Sequence, residues 1–352
     1  MAKNATHDKA DGVVQLENAM QNQYLAGGKV FSIAPMMDWT DRHCRFFHRQ
    51  LSRRALLYTE MVVADAVIHG DRVKLLGFDA AEHPLALQLG GSEPSKLAAA
   101  ARIGADFGYD EINLNCGCPS DRVQSGTFGA CLMREPQRVA ACVAAIKAAV
   151  AIPVTVKCRI GVDEQDPEAA LDAFADAVVA AGADGLWVHA RKAWLAGLSP
   201  KENRDIPPLD HGRVHRLKAR LGDVFVGLNG GLKTPQIALD EIGRLDGVML
   251  GRSAYHEPGR LASVDRLFYG STLSDPREED VVEAMIPYVE SEIAHGTPLH
   301  RITRHMLGLF HGRPGARRFR QILTVEGARR GAGSAVLRAA RQAIGKASPL
   351  AA

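Results

Sequence analysis

Short apolar runs alternate along this chain with longer stretches whose apolar residues recur every three or four positions. The runs lie at residues 31–36, 56–59, 85–89, 111–116, 154–159, 185–190, 224–229 and 247–250, each of strand length. Between them, residues 41–51, 63–69, 93–107, 136–150, 167–181, 210–221 and 234–242 carry helical spacing. Two of these helices open on Pro136 and Pro167, and Gly182 follows the second, the usual punctuation of a helix start and stop. Strand and helix in strict alternation imply a parallel sheet, and eight repeats favour a closed α/β TIM (β/α)8 barrel over residues 29–270, close to the ~250 residues typical of that fold. An open dinucleotide-binding sheet needs a glycine-rich turn after its first strand, and Pro35-Met36-Met37-Asp38 is not one.

Past residue 271 the strand-like runs stop. Residues 275–280 form a charged linker, and helical spacing returns over 279–295, 299–310, 315–328 and 333–346. Four amphipathic segments make a C-terminal all-α helical bundle of residues 271–352. Residues 1–28 are polar, with no apolar core of a signal peptide, and are expected to be a disordered tail.

Charge changes this picture more than composition does. The 352 residues are 46% apolar and 24% charged with a net charge of +3, ordinary for a globular protein. From Gly296 onward, however, there are 11 Lys and Arg against one acid, Glu326, whereas residues 1–295 hold 32 Lys and Arg against 39 acids. A bundle near +10 on a body near −7 points to a polyanionic partner for the bundle. The six cysteines are too few for a disulfide framework in a chain this long. No run approaches the ~20 apolar residues that span a bilayer. Together these predict a cytoplasmic protein with no membrane partner; the sequence makes no protein partner evident.

In such a barrel the chemistry sits on the loops that follow the strands, so the polar residues ending each strand matter. The third strand presents Gln88, the fourth Asn113 and Asn115, the fifth Thr155, Lys157 and Arg159 on one face, the sixth Trp187, His189 and Arg191. The first ends in Pro35-Met36-Met37, the seventh in Asn229-Gly230-Gly231, the eighth in Gly251-Arg252. The glycines leave backbone N–H groups open to an anion, and His189 and Arg252 are expected to add positive charge there. Lys157 would set a cation against an electron-rich ring, and Gln88 would bond a ring edge. A phosphate at one side of the mouth and a flat heteroaromatic ring across it describe FMN. A Gly-Gly pair or a lone histidine after a strand is usually only a turn or a hydrogen-bonder; an inward lysine is costly unless it has a purpose.

The loop after the fourth strand carries the reactive group. In NLNCGCPSDRVQSGTFGACLM, alternation turns Cys116 toward the helical layer as a small buried hydrophobe. Cys118 lies past the strand, between Gly117 and Pro119, free to project over the mouth. Thiols ordinarily titrate near ~8.5, so a neutral thiol can donate a proton. A lone CxC is a weak zinc signal, and no metal is expected. Cys131 and Cys142 read as packing residues.

That stretch resembles the signature of the tRNA-dihydrouridine synthases. IAPMMDWTDRHCR, LLYTEMV, HPLALQLGG, PVTVKCRIG, HARKAWLAGLSPKENRDIPPLD, NGG, GVMLGR and ITRHMLGLFHGRPGARRFR extend the likeness over nearly the whole chain and are similar to the A subfamily. Cys116 departs from the family pattern, where an aliphatic residue is usual. The resemblance implies FMN contacts at Pro35, Met36, Met37, Gln88, Lys157, His189, Asn229, Gly230, Gly231, Gly251 and Arg252. It implies Cys118 as proton donor and tRNA contacts at Asn115, Lys201, Arg204, Arg317 and Arg320, with Arg313 and Arg318 adding to the basic face.

The implied reaction is FMN-dependent, NADPH-driven reduction of the C5–C6 double bond of a D-loop uridine, at positions 20 and 20a, to dihydrouridine; NADH is a possible donor. Hydride passes from flavin N5 to C6 and a proton from Cys118 to C5. The uridine leaves its stack, as enzymes acting on a base require, and Asn115 holds its edge. Two other readings stay open: a flavin barrel reducing a free pyrimidine, which leaves the basic bundle unexplained, and a non-catalytic RNA-binding protein, which leaves Gln88, Lys157 and Cys118 without purpose.

Overall fold

The computed structural model describes residues 28–120 and 128–345. The expected N-terminal tail, the loop residues 121–127 of the cysteine motif and the last residues from 346 lie outside that description. Among the described residues nine strands form one parallel sheet: β1 (Val30–Ile33), β2 (Leu57–Tyr58), β3 (Val62–Val63), β4 (Leu85–Gly90), β5 (Glu111–Cys116), β6 (Val154–Arg159), β7 (Gly185–His189), β8 (Phe225–Asn229) and β9 (Gly247–Leu250). Their order is β1-β9-β8-β7-β6-β5-β4-β2, with β3 on β4. The ring closes where Leu56 N donates to Phe31 O at 2.9 Å and Ile33 N to Leu56 O at 3.0 Å. It is the expected TIM-like barrel.

Three differences from the expected elements have physical causes. β1 stops at Ile33 rather than residue 36, because Pro35 has no N–H to continue the ladder. The second strand shortens to β2, and an additional strand, β3, precedes the helix expected from residue 63; the two pair with opposite ends of β4 (Leu57 with Leu85, Val62 with Leu89). The helix expected over 299–310 is Leu299–Thr303 followed by a 3-10 turn, Arg304–Met306. There the chain presses on the barrel: a Cβ on Gly308 would stand 2.0 Å from His256 O.

Parallel strands covered on both sides separate two apolar layers. Residues pointing outward, such as Leu87, Leu114, Cys116, Val156 and Leu228, pack under the helices. Those pointing inward near the bottom of the barrel, Val30, Ala34, Leu56, Tyr58, Ala86, Trp187, Phe225 and Met249, form a separate cluster. Trp187 fills the middle; a Cβ on Gly227 would lie 2.2 Å, and one on Gly247 2.7 Å, from its ring. Above this plug the inward positions turn polar, and that transition makes the site.

The remaining helices form a C-terminal helical region whose core is continuous with the barrel's outer layer. Helix Glu278–Ala294 lies on the first barrel helix, Arg42–Leu51, with Tyr288 stacked on Phe46 at 3.9 Å between ring centroids. Asp41 caps the barrel helix through the backbone N–H groups of His43 and Cys44 and also accepts from Arg304 at 2.7 Å. None of the helices described is long and apolar enough to cross a membrane.

Candidate active site

Register places the polar residues side by side above the Trp187 plug: Gln88 beside Asn113, Asn113 beside Thr155, Asn115 beside Lys157, and Arg159 beside His189, itself beside Asn229. Buried amides must find partners, and here they find one another. Gln88 Nε2 donates to Asn113 Oδ1 (2.8 Å), Asn113 Nδ2 to Thr155 Oγ1 (2.7 Å), and Asn115 Nδ2 to Gln88 Oε1 (2.8 Å). Thr155 and Tyr58 both donate to Glu111. The carboxylate accepts only, so it fixes the direction of the whole row. At the top, Asn115 Oδ1 accepts from the backbone N–H of Gly117 (3.1 Å) and of Cys118 (3.0 Å).

This changes the reading of three side chains. Asn113 is fully buried in the row and does not face a ligand. Gln88 keeps one amide hydrogen for a ligand, the rest of its amide being engaged. Asn115 aims its carbonyl at the cysteine loop, which it holds in place, leaving one amide hydrogen toward the mouth.

The two thiols of the motif separate as alternation requires. Cys116 is fully buried among apolar residues, opposite Cys158 in register, and burial pushes its pKa well up. Cys118 is partly exposed at the edge of the core. Cys142 is buried packing, and Cys131 is half-buried with its Sγ 3.1 Å from Phe128 O.

Around Cys118 the electrostatics are one-sided. Lys157 Nζ donates to Asn229 Oδ1 at 3.0 Å, and Asn229 Nδ2 to Met249 O at 2.7 Å. Burial, and then neighbouring Arg159, bring the Lys157 pKa down to about 8. Arg159, which the sequence placed on the right face without a role, ties two loops together: Nε reaches Gly117 O (3.0 Å), and Nη1 reaches Lys192 O (3.0 Å) and Asn203 O (2.8 Å). Burial, with Arg204 and Arg191 adding to it against the pull of Cys118, lowers its pKa to about 10. Burial also lowers the pKa of Arg191 and Arg204, and the Nε of each is buried without a partner. Burial and this same set of cations drive the His189 pKa well below its ordinary value. The imidazole is therefore neutral in this state and does not supply the charge expected of it.

Arg252 is also engaged, by a two-pronged ion pair with Asp205 (2.6 and 3.0 Å) that pins the loop after β7 to the rim. Asn203 organises that loop from within, accepting from Trp194 N at 2.7 Å and donating to Trp194 O at 2.8 Å. Neither Asp205 nor Asn203 carries a sequence signal beyond its polarity. Gly230 and Gly231 hold φ of +107° and +74°, and a Cβ on Gly230 would stand 2.4 Å from His189 Cδ2. Met36 is buried, while Met37 is 56% exposed beside the mouth; Pro35 and Gly251 flank them at the ends of β1 and β9.

The pieces fit a flat ligand bearing an anionic group. Unpartnered guanidinium nitrogens and a surplus of cations favour an anion. The glycine cradle lets it approach the backbone, and Lys157, Asn229 and Gln88 line the mouth beside Cys118. Lys201 and Arg204 sit on the β7 loop, Lys201 exposed and Arg204 half-buried. Arg317 and Arg320 are not part of this cluster. They lie on the exposed face of helix Ala316–Val325, opposite buried Phe319 and Leu323, without an ion pair among the described residues. Arg313, expected to join them, is instead paired with Glu278 and Glu279, and Arg318 donates to Gln321 at 3.0 Å.

Comparison with known proteins bears on this site. A family profile described as dihydrouridine synthase (Dus) matches residues 32–344. A tRNA-dihydrouridine(20/20a) synthase of Xanthomonas axonopodis pv. citri is 58% identical over 315 residues, 90% of this chain and 93% of the relative. Proteins of the same description from Shewanella oneidensis and Salmonella typhi are each 54% identical, over 90% and 89% of this chain and 94% and 95% of their own lengths.

Proposed function

Because the chain belongs to the dihydrouridine synthase family, whose members are flavin-dependent enzymes reducing uridine in tRNA, we propose how its own residues perform that reaction. The flavin is FMN, the electron donor NADPH, and the target a D-loop uridine at position 20 or 20a. Gly230, Gly231, Gly251 and Arg252, together with His189, would hold the phosphate of FMN. Pro35, Met36, Met37, Gln88, Lys157 and Asn229 would hold its ring. When bound and reduced, FMN supplies the hydride that reaches C6 of the uracil ring.

The chain supplies the proton. Cys118 Sγ–H protonates C5, and its loop is oriented by Asn115 from below and by Arg159 from the side. The thiolate left behind lies in the field of Lys157, Arg159 and Arg204, each of which interacts electrostatically with Cys118. Proton loss from the thiol to the ring is thus matched by nearby positive charge. The remaining amide hydrogen of Asn115 bonds the edge of the uracil. Lys201 and Arg204 grip the RNA from the barrel side, and Arg317 and Arg320 hold phosphates from the helical region.

The observation that carries this reading is the convergence of Lys157, Arg159 and Arg204 on a partly exposed thiol beside a glycine cradle. A free pyrimidine would need no exposed arginine face, and a binding-only protein would need no lysine set into the barrel mouth. The test is to map dihydrouridine in tRNA from cells that lack the gene and then regain it. Loss and return at D-loop uridines is expected; an unchanged map refutes the assignment.

A further inference from the structure

A cavity of about 660 Å³ opens beside the mouth, between the β3 side of the barrel and the start of the C-terminal region. Glu60 is set into its wall. The Oε1 of this carboxyl is buried and has no partner, and the backbone N–H of Asp38 lies near the carboxyl. Burial and the nearby carboxylates of Asp41 and Asp38 raise the Glu60 pKa, so a donor reaching it would relieve an unfavourable environment. Met37 and Leu75, exposed by 56% and 37%, face the cavity as apolar walls. Lys74 and Arg301 stand exposed on its rim, without an ion pair among the described residues. Met61, also in the lining, is close to Phe128 just after the cysteine loop: a Cβ on Gly90 would stand 2.9 Å from both side chains. The cavity therefore adjoins the site of reduction.

Apolar walls, an acceptor inside and cations at the rim match a nucleotide taken out of its stack. A carboxylate selects among bases. Guanine offers two adjacent N–H donors, N1–H and the 2-amino group. Adenine sets an acceptor beside its amino group, and uracil flanks its one N–H with two carbonyls. We propose that this cavity binds a second unstacked base of the tRNA, a guanine neighbouring the target uridine, with Glu60 accepting from its Watson–Crick edge and Lys74 and Arg301 on the adjoining phosphates. The proposal rests on the tRNA-reducing function set out above.

The test measures kcat/KM for dihydrouridine formation by the flavin-loaded protein and its Glu60→Gln and Glu60→Ala variants. The substrates are tRNA transcripts in which each guanosine near the target is singly replaced by inosine or adenosine. For one guanosine, the wild type should lose about tenfold or more on replacement, the size of one good base contact. Both variants should show that loss already with unaltered tRNA and be indifferent to the replacement. Lys74→Ala and Arg301→Ala should weaken tRNA binding, flatten its salt dependence and keep the discrimination. The proposal is overturned if the wild type is active but treats all transcripts alike, or if Glu60→Gln discriminates as the wild type does. It is also overturned if Glu60→Gln slows flavin reduction by NADPH instead, which would assign the cavity to the nicotinamide nucleotide. A wild type inactive on every transcript would remove the parent function as well, a result distinct from these.

Discussion

Lys157 should make the flavin-free protein less stable than it would be without that lysine. Its pKa falls from 10.5 to about 8 on folding, burial being the main cause, which corresponds to about 3 kcal/mol of folding free energy. The sign follows from the proton balance. At neutral pH the lysine is charged in both states, and the folded state carries the whole penalty. Between about pH 8 and 10.5 the folded protein releases this proton first, so stability rises with pH through that window. Above it the penalty is gone.

Lys157→Met removes the charge but strands Asn229 Oδ1, its hydrogen-bond partner at 3.0 Å, at a cost of about 1 kcal/mol. The variant should therefore be more stable than the wild type by about 2 kcal/mol at pH 7, and less stable by about 1 kcal/mol at pH 10.5. With about 2.1 cal/mol/K of unfolding entropy per residue, a chain of 352 residues should melt roughly 3 °C higher at pH 7. Melting of both flavin-free proteins across pH 7–10.5, followed by circular dichroism, reads this directly. Flavin binding and dihydrouridine formation should fall in the same variant. A variant that melts lower at pH 7, or a difference that does not change sign with pH, would refute the account of this lysine.

Cys116→Ala should stay active, because that thiol is sealed under the helices; a folded but inactive protein would reverse the roles of the two cysteines. Gly230→Ala would force a Cβ to within 2.4 Å of His189 at φ +107°, and should lower flavin affinity by tenfold or more, measured by fluorescence titration. Asn115→Asp places an oxygen against Gln88 Oε1, now 2.8 Å from the Asn115 amide. It should cost about 2–3 kcal/mol in a denaturant titration and slow turnover. Arg317→Ala and Arg320→Ala should each weaken tRNA binding and reduce its salt slope by roughly 0.7–0.9, with the flavin absorbance unchanged.

Much of the barrel is legible in the sequence because its strands are buried on both faces and bounded by proline and glycine. β5, β6 and β9 begin and end where the apolar runs do. The short helices after β9, Arg252–His256 and Val264–Tyr269, leave no comparable trace, since segments of five or six residues complete too few turns to show a period. In the site, alternation alone separates Cys116 from Cys118. What alternation cannot carry is partnership across the ring. Lys157 meets Asn229 and Arg252 meets Asp205 only because the sheet closes. The neutral state of His189 depends on four cations from three different segments. Arg313 reads as part of the basic face in sequence because Glu278 and Glu279, which neutralise it, lie 35 and 34 residues earlier, at the start of helix Glu278–Ala294.

The most direct measurement of the central claim is the dihydrouridine formed when flavin-loaded Cys118→Ala is given NADPH and tRNA lacking the modification. If Cys118 delivers the proton above a flavin, this variant retains its yellow flavin and its reduction by NADPH but yields essentially no dihydrouridine, against full conversion by the wild type. Conversion at the wild-type rate, with the flavin still bound, would contradict the account.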